Sequence, residues 1–318
     1  MRTAEILIAD DDDASVRFLR RLLTREGHQV AVATTADAAL AVCAVKPPDI
    51  LLVDLVAPRG QGFDLCRILK TQPATRFIPV VILTSQSDRR DRMRGIEAGC
   101  DDFLVKPFDA AELHARIQSL VRLKRYTDDL ESAEAVIMGM AATIEARDPS
   151  TNGHCQRLAH YATRLGREIN LDESDLSALA RGGFLHDIGK IAVPDAVLLK
   201  DGELDPYESR VMRKHPLVGD NLCAGLRSLN QVRPIVRYHH ERLDGTGYPD
   251  GLRNSEVPLL AQVVSVVDIF DALTTDRPYR VARPADVALQ ILADESTKGW
   301  RDRVLVDAFV NAVTPRPA

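Results

Sequence analysis

A chain of 318 residues, 45% hydrophobic and 27% charged, has the makeup of a globular protein of two domains at roughly 100–200 residues each, and not of a disordered, collagen-like or fibrous one. Lys and Arg total 41 against 46 Asp and Glu, a formal net charge of −5 that offers no general positive field for a nucleic-acid backbone. No window approaches the ~20 consecutive apolar residues that span a bilayer.

Up to about Arg122, short apolar runs alternate with amphipathic stretches. Ile6–Ala9, Val30–Val32, Ile50–Val53, Val80–Leu83 and Asp102–Val105 read as strands, while Ala14–Arg25 and Asp64–Thr71 carry apolar residues at helical spacing. Strands alternating with helices imply parallel βα units, and wholly apolar runs suit a sheet covered on both faces. The expected fold is a doubly wound α/β domain with a five-stranded parallel sheet.

Ligands of such sheets bind at the carboxyl ends of the strands. Those ends carry Asp10-Asp11-Asp12-Asp13, Asp54, Thr84-Ser85 and Lys106-Pro107. Any one aspartate could simply cap the next helix. The set together brings carboxylates, a hydroxyl and a lysine to one edge. Carboxylates are hard oxygen ligands for Mg²⁺, which can neutralise both a carboxylate nucleophile and an incoming phosphoryl group.

These residues, with Val53 to Pro58 and Gly99 to Phe108, resemble the receiver (CheY-like, flavodoxin-like) domain of two-component response regulators. The resemblance implies that Asp54 accepts phosphate from a sensor histidine kinase. It implies too that Asp10, Asp11 and the Val56 carbonyl bind Mg²⁺, that Thr84 and Lys106 contact the phosphoryl group, and that Phe103 holds the aromatic switch position.

Residues Asp109 to Arg147 contain no Pro and, of the glycines, only Gly139. The spacing predicts that the last receiver helix runs on into a connecting helix ended by Asp148-Pro149. A helix of this length can form a short coiled coil, giving a homodimer through the connecting helix or receiver, or can serve as a rigid spacer. From Met140 onward, Gln156–Ile169, Glu173–Leu185, Glu208–His215 and Ala261–Leu273 have helical spacing, and strand–helix alternation does not recur. A separate all-α domain is expected.

Most of the eight histidines lie in this half: His154, His160, His186, His215, His239 and His240, with Asp187 and Asp268 among them. His160 falls beside apolar residues in a helix and reads as packing or surface. The others lie in or at the ends of helical stretches, so a bundle can aim them at one point. Imidazole with carboxylate suits Zn, Mn, Fe or Ni, and more ligands are present than one tetrahedral ion needs. A bridging carboxylate would let them hold two ions, the arrangement that activates water for attack on phosphorus. Lys190 follows His186 by four positions, which in a helix places it on the same face. Gly245, Gly247, Pro249 and Gly251 shape a loop in which backbone can approach a ligand and Tyr248 offers a ring or a hydroxyl.

The segments His154, Leu185 to Ile191, Lys214-His215-Pro216, His239 to Gly251, Val267 to Thr274 and Asp276 to Arg280 resemble the HD-GYP family of metal-dependent cyclic di-GMP phosphodiesterases. The resemblance implies hydrolysis of cyclic di-GMP to pGpG or GMP. His154, His186, Asp187 and Asp268 would hold one ion, and Asp187 would bridge to a second held by His215, His239 and His240. Asp187 and Lys190 would be catalytic, and Lys190, Gly247, Tyr248, Arg277 and Arg280 would contact substrate. Ser150 stands where some members place a glutamate ligand for a third ion, so a binuclear site is expected. Gln262 and the Gly299-Trp300-Arg301-Asp302 run depart from the family pattern and read as packing or surface features.

The expected organisation is a receiver over 1–122, a connecting helix over 123–148 and an HD-GYP domain over 137–318. The alternatives are a low-turnover cyclic di-GMP sensor or protein-interaction module, and a phosphohydrolase of mononucleotides; the complete ligand set and the Gly-Tyr-Pro loop favour the phosphodiesterase. No helix-turn-helix or basic face points to DNA. Scattered cysteines and an N-terminus that turns acidic at Asp10 point to a cytoplasmic protein with reduced thiols.

Overall fold

The computed structural model describes residues 3–55, 61–85, 89–147, 153–276 and 281–314. Val56, the Asp148-Pro149 helix stop, Ser150, Arg277 and Arg280 lie outside the described residues. The chain divides into two compact units, Met1–Ala133 and Glu134–Ala318.

The first unit is a five-stranded parallel sheet in the order β2-β1-β3-β4-β5, with β1 Glu5–Ala9, β2 Gln29–Ala33, β3 Ile50–Asp54, β4 Val80–Thr84 and β5 Asp102–Val105. Helices α1 Asp13–Arg25, α2 Ala36–Val45, α3 Gly62–Thr71 and α4 Arg89–Ala98 connect them, and α5 Ala110–Arg147 follows. Alternate strand residues point to opposite faces. Leu7, Leu51, Val53 and Ile82 therefore pack with Cys43 of α2, Leu65 and Leu69 of α3 and Ala98 of α4. Ile6, Ile8, Leu52, Val81 and Leu83 pack with Leu19 and Leu23 of α1 and Leu113, Ile117 and Val121 of α5. Both faces are covered, as the apolar runs required.

The second unit is helical: α6 His154–Glu168, α7 Glu173–Leu185, α8 Asp195–Leu198, α9 Pro206–Met212, α10 His215–Cys223, α11 Arg233–Tyr238, α12 Leu259–Thr274, α13 Ala285–Thr297 and α14 Arg303–Val313. Its core joins Leu158 and Leu165, Leu179, Ile235, Val263, Val264, Val266, Val267 and Phe270, Leu292 and Phe309. Tyr161, Phe270 and Phe309 meet edge to face, with centroids 5.1–6.2 Å apart. A second cluster joins Ala141 and Ile144 of α5 to Leu185, Ile188, Cys223, Val232 and Val236. α7 has the ends expected of the Glu173–Leu185 stretch, and Lys190 sits beyond it in a separate 3₁₀ turn, Ile188–Ala192. The Glu208–His215 stretch breaks after Met212, because Pro216 belongs to the first turn of a new helix. Among the described residues, no helix is long and apolar enough to cross a membrane.

Candidate functional site

In the first unit, β1, β3, β4 and β5 bring Asp10, Asp54, Thr84 and Lys106 to one edge, with Asp10 and Thr84 buried and Asp54 9% exposed. Lys106 Nζ donates to Asp54 Oδ2 and to Ser15 Oγ (3.2 Å), and lies 3.6 Å from Asp10 Oδ2. Asp12 caps α1, accepting from the Ala14 and Ser15 amides, and Asp13 is an exposed first-turn residue facing Arg17. The helix-capping account of these acids thus holds for Asp12 alone. Asp10 Oδ1 accepts from the Asp12 amide (2.9 Å), while Oδ2 is buried with no hydrogen-bond partner. A buried carboxylate oxygen that faces Lys106 without a hydrogen bond, beside exposed Asp11, fits a hard cation such as Mg²⁺. Ser15 is a neighbour of this edge that the strand-end reading did not include.

In the second unit, four helix ends and one helix interior converge. His154 opens α6, His186 and Asp187 follow α7, His215 opens α10, His239 and His240 follow α11, and Asp268 projects from α12. Their ligand atoms form two groups: Asp187, His215, His239 and His240, and His154, His186 and Asp268. Asp187 reaches both. Its Oδ2 is 3.2 Å from His186 Nε2, and its Oδ1 is 3.1 Å from His215 Nε2 and 3.8 Å from His239 Nε2.

The ring tautomers follow from the outer hydrogen bonds. Nδ1–H of His186, His215 and His239 donates to the Gly183, Met212 and Val236 carbonyls at 3.0, 2.8 and 2.9 Å. Each carbonyl lies three residues back, in the last turn of a helix, where it has no intrahelical partner. His154 Nδ1–H donates to Asp271 Oδ2 (2.7 Å). Carbonyls and carboxylates only accept, so all four protons sit on Nδ1 and all four Nε2 lone pairs face inward. His154 Nε2 and His186 Nε2 are 3.3 Å apart, and His215 Nε2 and His239 Nε2 3.4 Å. Lone pairs at that distance repel. Asp187 Oδ1, facing two of them, has no donor. Burial and neighbouring imidazoles push His239 and His240 well below the usual histidine range, keeping both rings neutral. Neutral imidazoles and a donorless carboxylate oxygen aimed at common points fit divalent metal ions.

Lys190 Nζ donates to Asp187 Oδ2 (2.6 Å), the three-residue reach that a 3₁₀ turn provides. Against burial, the neighbouring Lys190 ammonium holds the Asp187 carboxyl well below its ordinary range. Gly189 makes the turn's close approach possible: a Cβ there would stand 1.9 Å from the His215 carbonyl oxygen. A cleft of about 430 Å³ opens over the centre, lined by His154, Asp187, Lys190, His240 and Asp268 together with Gly247, Tyr248, Arg213, Arg242, Glu295 and Arg301. Tyr248 stacks on His240 (4.6 Å, 26°) with Arg213 over its ring at 5.2 Å. Gly247 is required by packing, since a Cβ would stand 2.3 Å from the Arg242 amide nitrogen.

Several residues of the centre escaped the sequence reading, Arg213, Arg242 and Glu295 of the cleft lining among them. Buried Asp271 accepts from His154 and from Arg157 Nε (2.5 Å) and Nη2 (3.0 Å); its signal was the three-residue spacing from Asp268, which shares a helix face. Buried Glu241 accepts the Asp250, Gly251 and Leu252 amides at 2.7–3.1 Å and so fixes the loop carrying Tyr248. Arg301, read as packing or surface, lines the cleft. Gln262 does have a packing role, donating to the Val257 carbonyl, and His160 is exposed.

Residues 6–118 match the response regulator receiver domain and residues 139–305 the HD domain. A protein of Xanthomonas campestris pv. campestris, named cyclic di-GMP phosphodiesterase response regulator RpfG, is 35% identical over 90% of this chain and 82% of its own length. A Vibrio cholerae protein named probable cyclic di-GMP phosphodiesterase is 30% identical over 96% of this chain and 77% of its own. Another from Vibrio cholerae, named 3'3'-cGAMP-specific phosphodiesterase 3, is 37% identical over 51% of this chain and 35% of its own. This chain belongs to the response regulators that join a receiver domain to an HD domain.

Proposed function

We propose that the chain is a two-component response regulator whose HD domain hydrolyses cyclic di-GMP to pGpG or GMP, under control of phosphorylation at Asp54. The observation that carries this reading is the inward convergence of four Nε2 lone pairs, three of them within 4 Å of an Asp187 carboxylate that reaches both ligand groups.

His154, His186, Asp187 and Asp268 would hold one ion, and His215, His239, His240 and Asp187 the other. Two divalent transition ions (Fe, Mn, Ni or Zn) would supply Lewis acidity toward the phosphodiester and activate water. Lys190 keeps Asp187 ionised and places its ammonium where charge develops on phosphate oxygens. Tyr248, held as a neutral phenol by burial, offers its hydroxyl and ring to the substrate, with Gly247 beside it in the cleft lining. Arg277 and Arg280 would add fork-shaped donors for phosphate. In the receiver, Asp10 and Asp11 would hold Mg²⁺ while Thr84 and Lys106 steady the phosphoryl group on Asp54.

Helix α5 supplies the coupling. Leu113, Ile117 and Val121 belong to the receiver core, whereas Ala141 and Ile144 belong to a core of the second unit. At its last turn, Glu145 accepts the Cys155 amide (3.2 Å), so this turn steadies the start of α6, where His154 sits. A displacement of α5 on phosphorylation would therefore shift His154. Exposed Leu123, Tyr126 and Leu130 on α5 have the three- and four-residue spacing of a coiled-coil seam, a route to a homodimer.

The test is turnover of cyclic di-GMP by protein loaded anaerobically with Mn²⁺ or Fe²⁺, products separated, with Asp187→Ala alongside. Product from the wild type alone supports the reading. Binding without turnover would replace it with a sensor. Identical turnover of Asp54→Asn and beryllofluoride-treated wild type would remove the proposed control.

A further inference from the structure

Glu295 and Arg301 line the cleft and pair with each other rather than with the metal-ligand groups. Glu295 lies in the last turn of α13 and Arg301 in the loop before α14. Their side chains are 15% and 9% exposed, and Arg301 Nε donates to Glu295 Oε2 at 3.3 Å. Arg301 Nη1 also donates to the Glu241 carbonyl (2.8 Å). These bonds occupy two of the five N–H donors of a guanidinium.

The pair is held in place. The Trp300 amide donates to the Glu295 carbonyl (3.0 Å), and the Trp300 carbonyl accepts from the Leu243 amide (3.2 Å). Arg242, in the same cleft lining, sits over the Trp300 ring at 4.0 Å and Lys298 at 5.0 Å. The turn between α13 and α14 is thus braced against the segment that follows His240. A carboxylate in the last turn of a helix opposes the negative end of the helix dipole, so Glu295 stands where local preference would not put it.

The charges of the pair cancel, and its carboxylate repels phosphate oxygens. An uncharged base edge with acceptors beside donors suits it better. Guanine presents O6 and N7 as acceptors and N1–H and N2–H as donors; adenine presents an amino donor and the N1 acceptor in the corresponding places. We propose that Glu295 and Arg301 form a guanine-recognition subsite of the cleft, Arg301 donating to O6 and N7 and Glu295 accepting from N1–H and N2–H. The proposal rests on the cyclic-dinucleotide reading and adds to it the feature that selects the base.

The experiment compares kcat/KM for cyclic di-GMP, cyclic GMP-AMP and cyclic di-AMP in the metal-loaded full chain for wild type, Glu295→Gln and Arg301→Lys. Equilibrium binding of pGpG and pApA is measured alongside. Glu295→Gln keeps size and a hydrogen-bonding end group but replaces one acceptor oxygen by a donor. The preference for cyclic di-GMP over cyclic di-AMP should fall about 10- to 100-fold, the cost of one lost bidentate base contact, with a parallel loss in pGpG over pApA binding. Arg301→Lys keeps the charge and a donor for the Glu241 carbonyl and should weaken binding of pGpG more than that of pApA.

Wild type that hydrolyses or binds guanine and adenine dinucleotides equally well would overturn the subsite. So would variants that lower every substrate in the same proportion, the result expected of a phosphate contact or a structural pair. If wild type turns over none of the three, the phosphodiesterase reading fails by itself. The guanine preference in binding, and its loss in Glu295→Gln, then still decides the subsite.

Discussion

Asp271→Asn separates support of the metal centre from support of the fold. The Asp271 carboxylate accepts three hydrogen bonds, one from His154 Nδ1–H and two from Arg157. An asparagine has one acceptor oxygen, and its amide would face an N–H donor on the other side. Either His154 loses the partner that fixes its tautomer, or Arg157 loses its ion pair. Loss of a carboxylate behind a ligating imidazole lowers metal affinity about 10- to 100-fold, or about 1.4–2.8 kcal/mol. The metal-free protein should lose about 1 kcal/mol, at the low end for a damaged charged hydrogen bond because the Arg157 side chain is 34% exposed. The assay is chelator competition for Mn²⁺ or Zn²⁺, with thermal melting of the metal-free protein. Adding Arg157→Met to Asp271→Asn should recover part of the stability and none of the affinity. Affinity within twofold of wild type in Asp271→Asn would refute the argument that this carboxylate orients His154.

Gly189→Ala drives a methyl group onto the His215 carbonyl oxygen and should cost about 1–3 kcal/mol from overpacking while lowering metal content; a variant with full metal content and unchanged melting would contradict the contact. Metal analysis of the loaded protein with the receiver site removed by Asp10→Ala and Asp11→Ala should return about two ions per chain, the count the second unit's ligand groups suit, and three would reject the binuclear reading. Asp54→Asn should abolish labelling by a small phosphodonor, and label retained on another residue would displace Asp54 as the acceptor. His28 is held below its ordinary value of 6.5 by burial, with Glu26 pulling the other way, and its Nδ1 accepts the Ala4 amide. A folded value below the unfolded one means that the unfolded chain binds more protons. This contribution is therefore complete above about pH 6.5 and lost as pH falls toward the folded value. Melting between pH 7.5 and 5.5 should show the slope, and His28→Asn, which keeps an acceptor for Ala4, should flatten it; an unchanged slope would assign it elsewhere.

The first unit was legible because its signals are local. Each strand is a short apolar run, and the residue closing a parallel strand reaches the ligand edge wherever that strand lies in the sheet, so Asp10, Asp54, Thr84 and Lys106 could be placed without the strand order. The Glu173–Leu185 helix was read with its observed ends. Glu208–His215 was read through a break, since apolar spacing alone does not register that Pro216 starts a helix. The packing reading of Arg301 fits its bond to the Glu241 carbonyl, but its place in the cleft lining was not legible in the sequence. Arg301 meets that carbonyl across sixty residues of chain, and no pattern within either segment announces that contact.

The metal centre lies between these cases, and its geometry explains why histidines flanking helices were informative. A helix leaves its last carbonyls without amide partners. Gly183, Met212 and Val236 are such carbonyls, and a histidine three residues further on can return its Nδ1–H to each. That bond satisfies the helix end, fixes the tautomer and turns Nε2 away from the helix in one step. A histidine in mid-helix has no orphan carbonyl to use, as exposed His160 illustrates. Where three helix ends meet, the same local arrangement therefore aims three lone pairs at a common space. With its Nδ1–H committed to a carbonyl, each ring presents Nε2 as its ligand atom, and a divalent cation in that space would relieve the repulsion. What the chain spells out locally is the position of each imidazole at a helix end; what only the packed bundle supplies is Asp187, with one oxygen toward each ligand group.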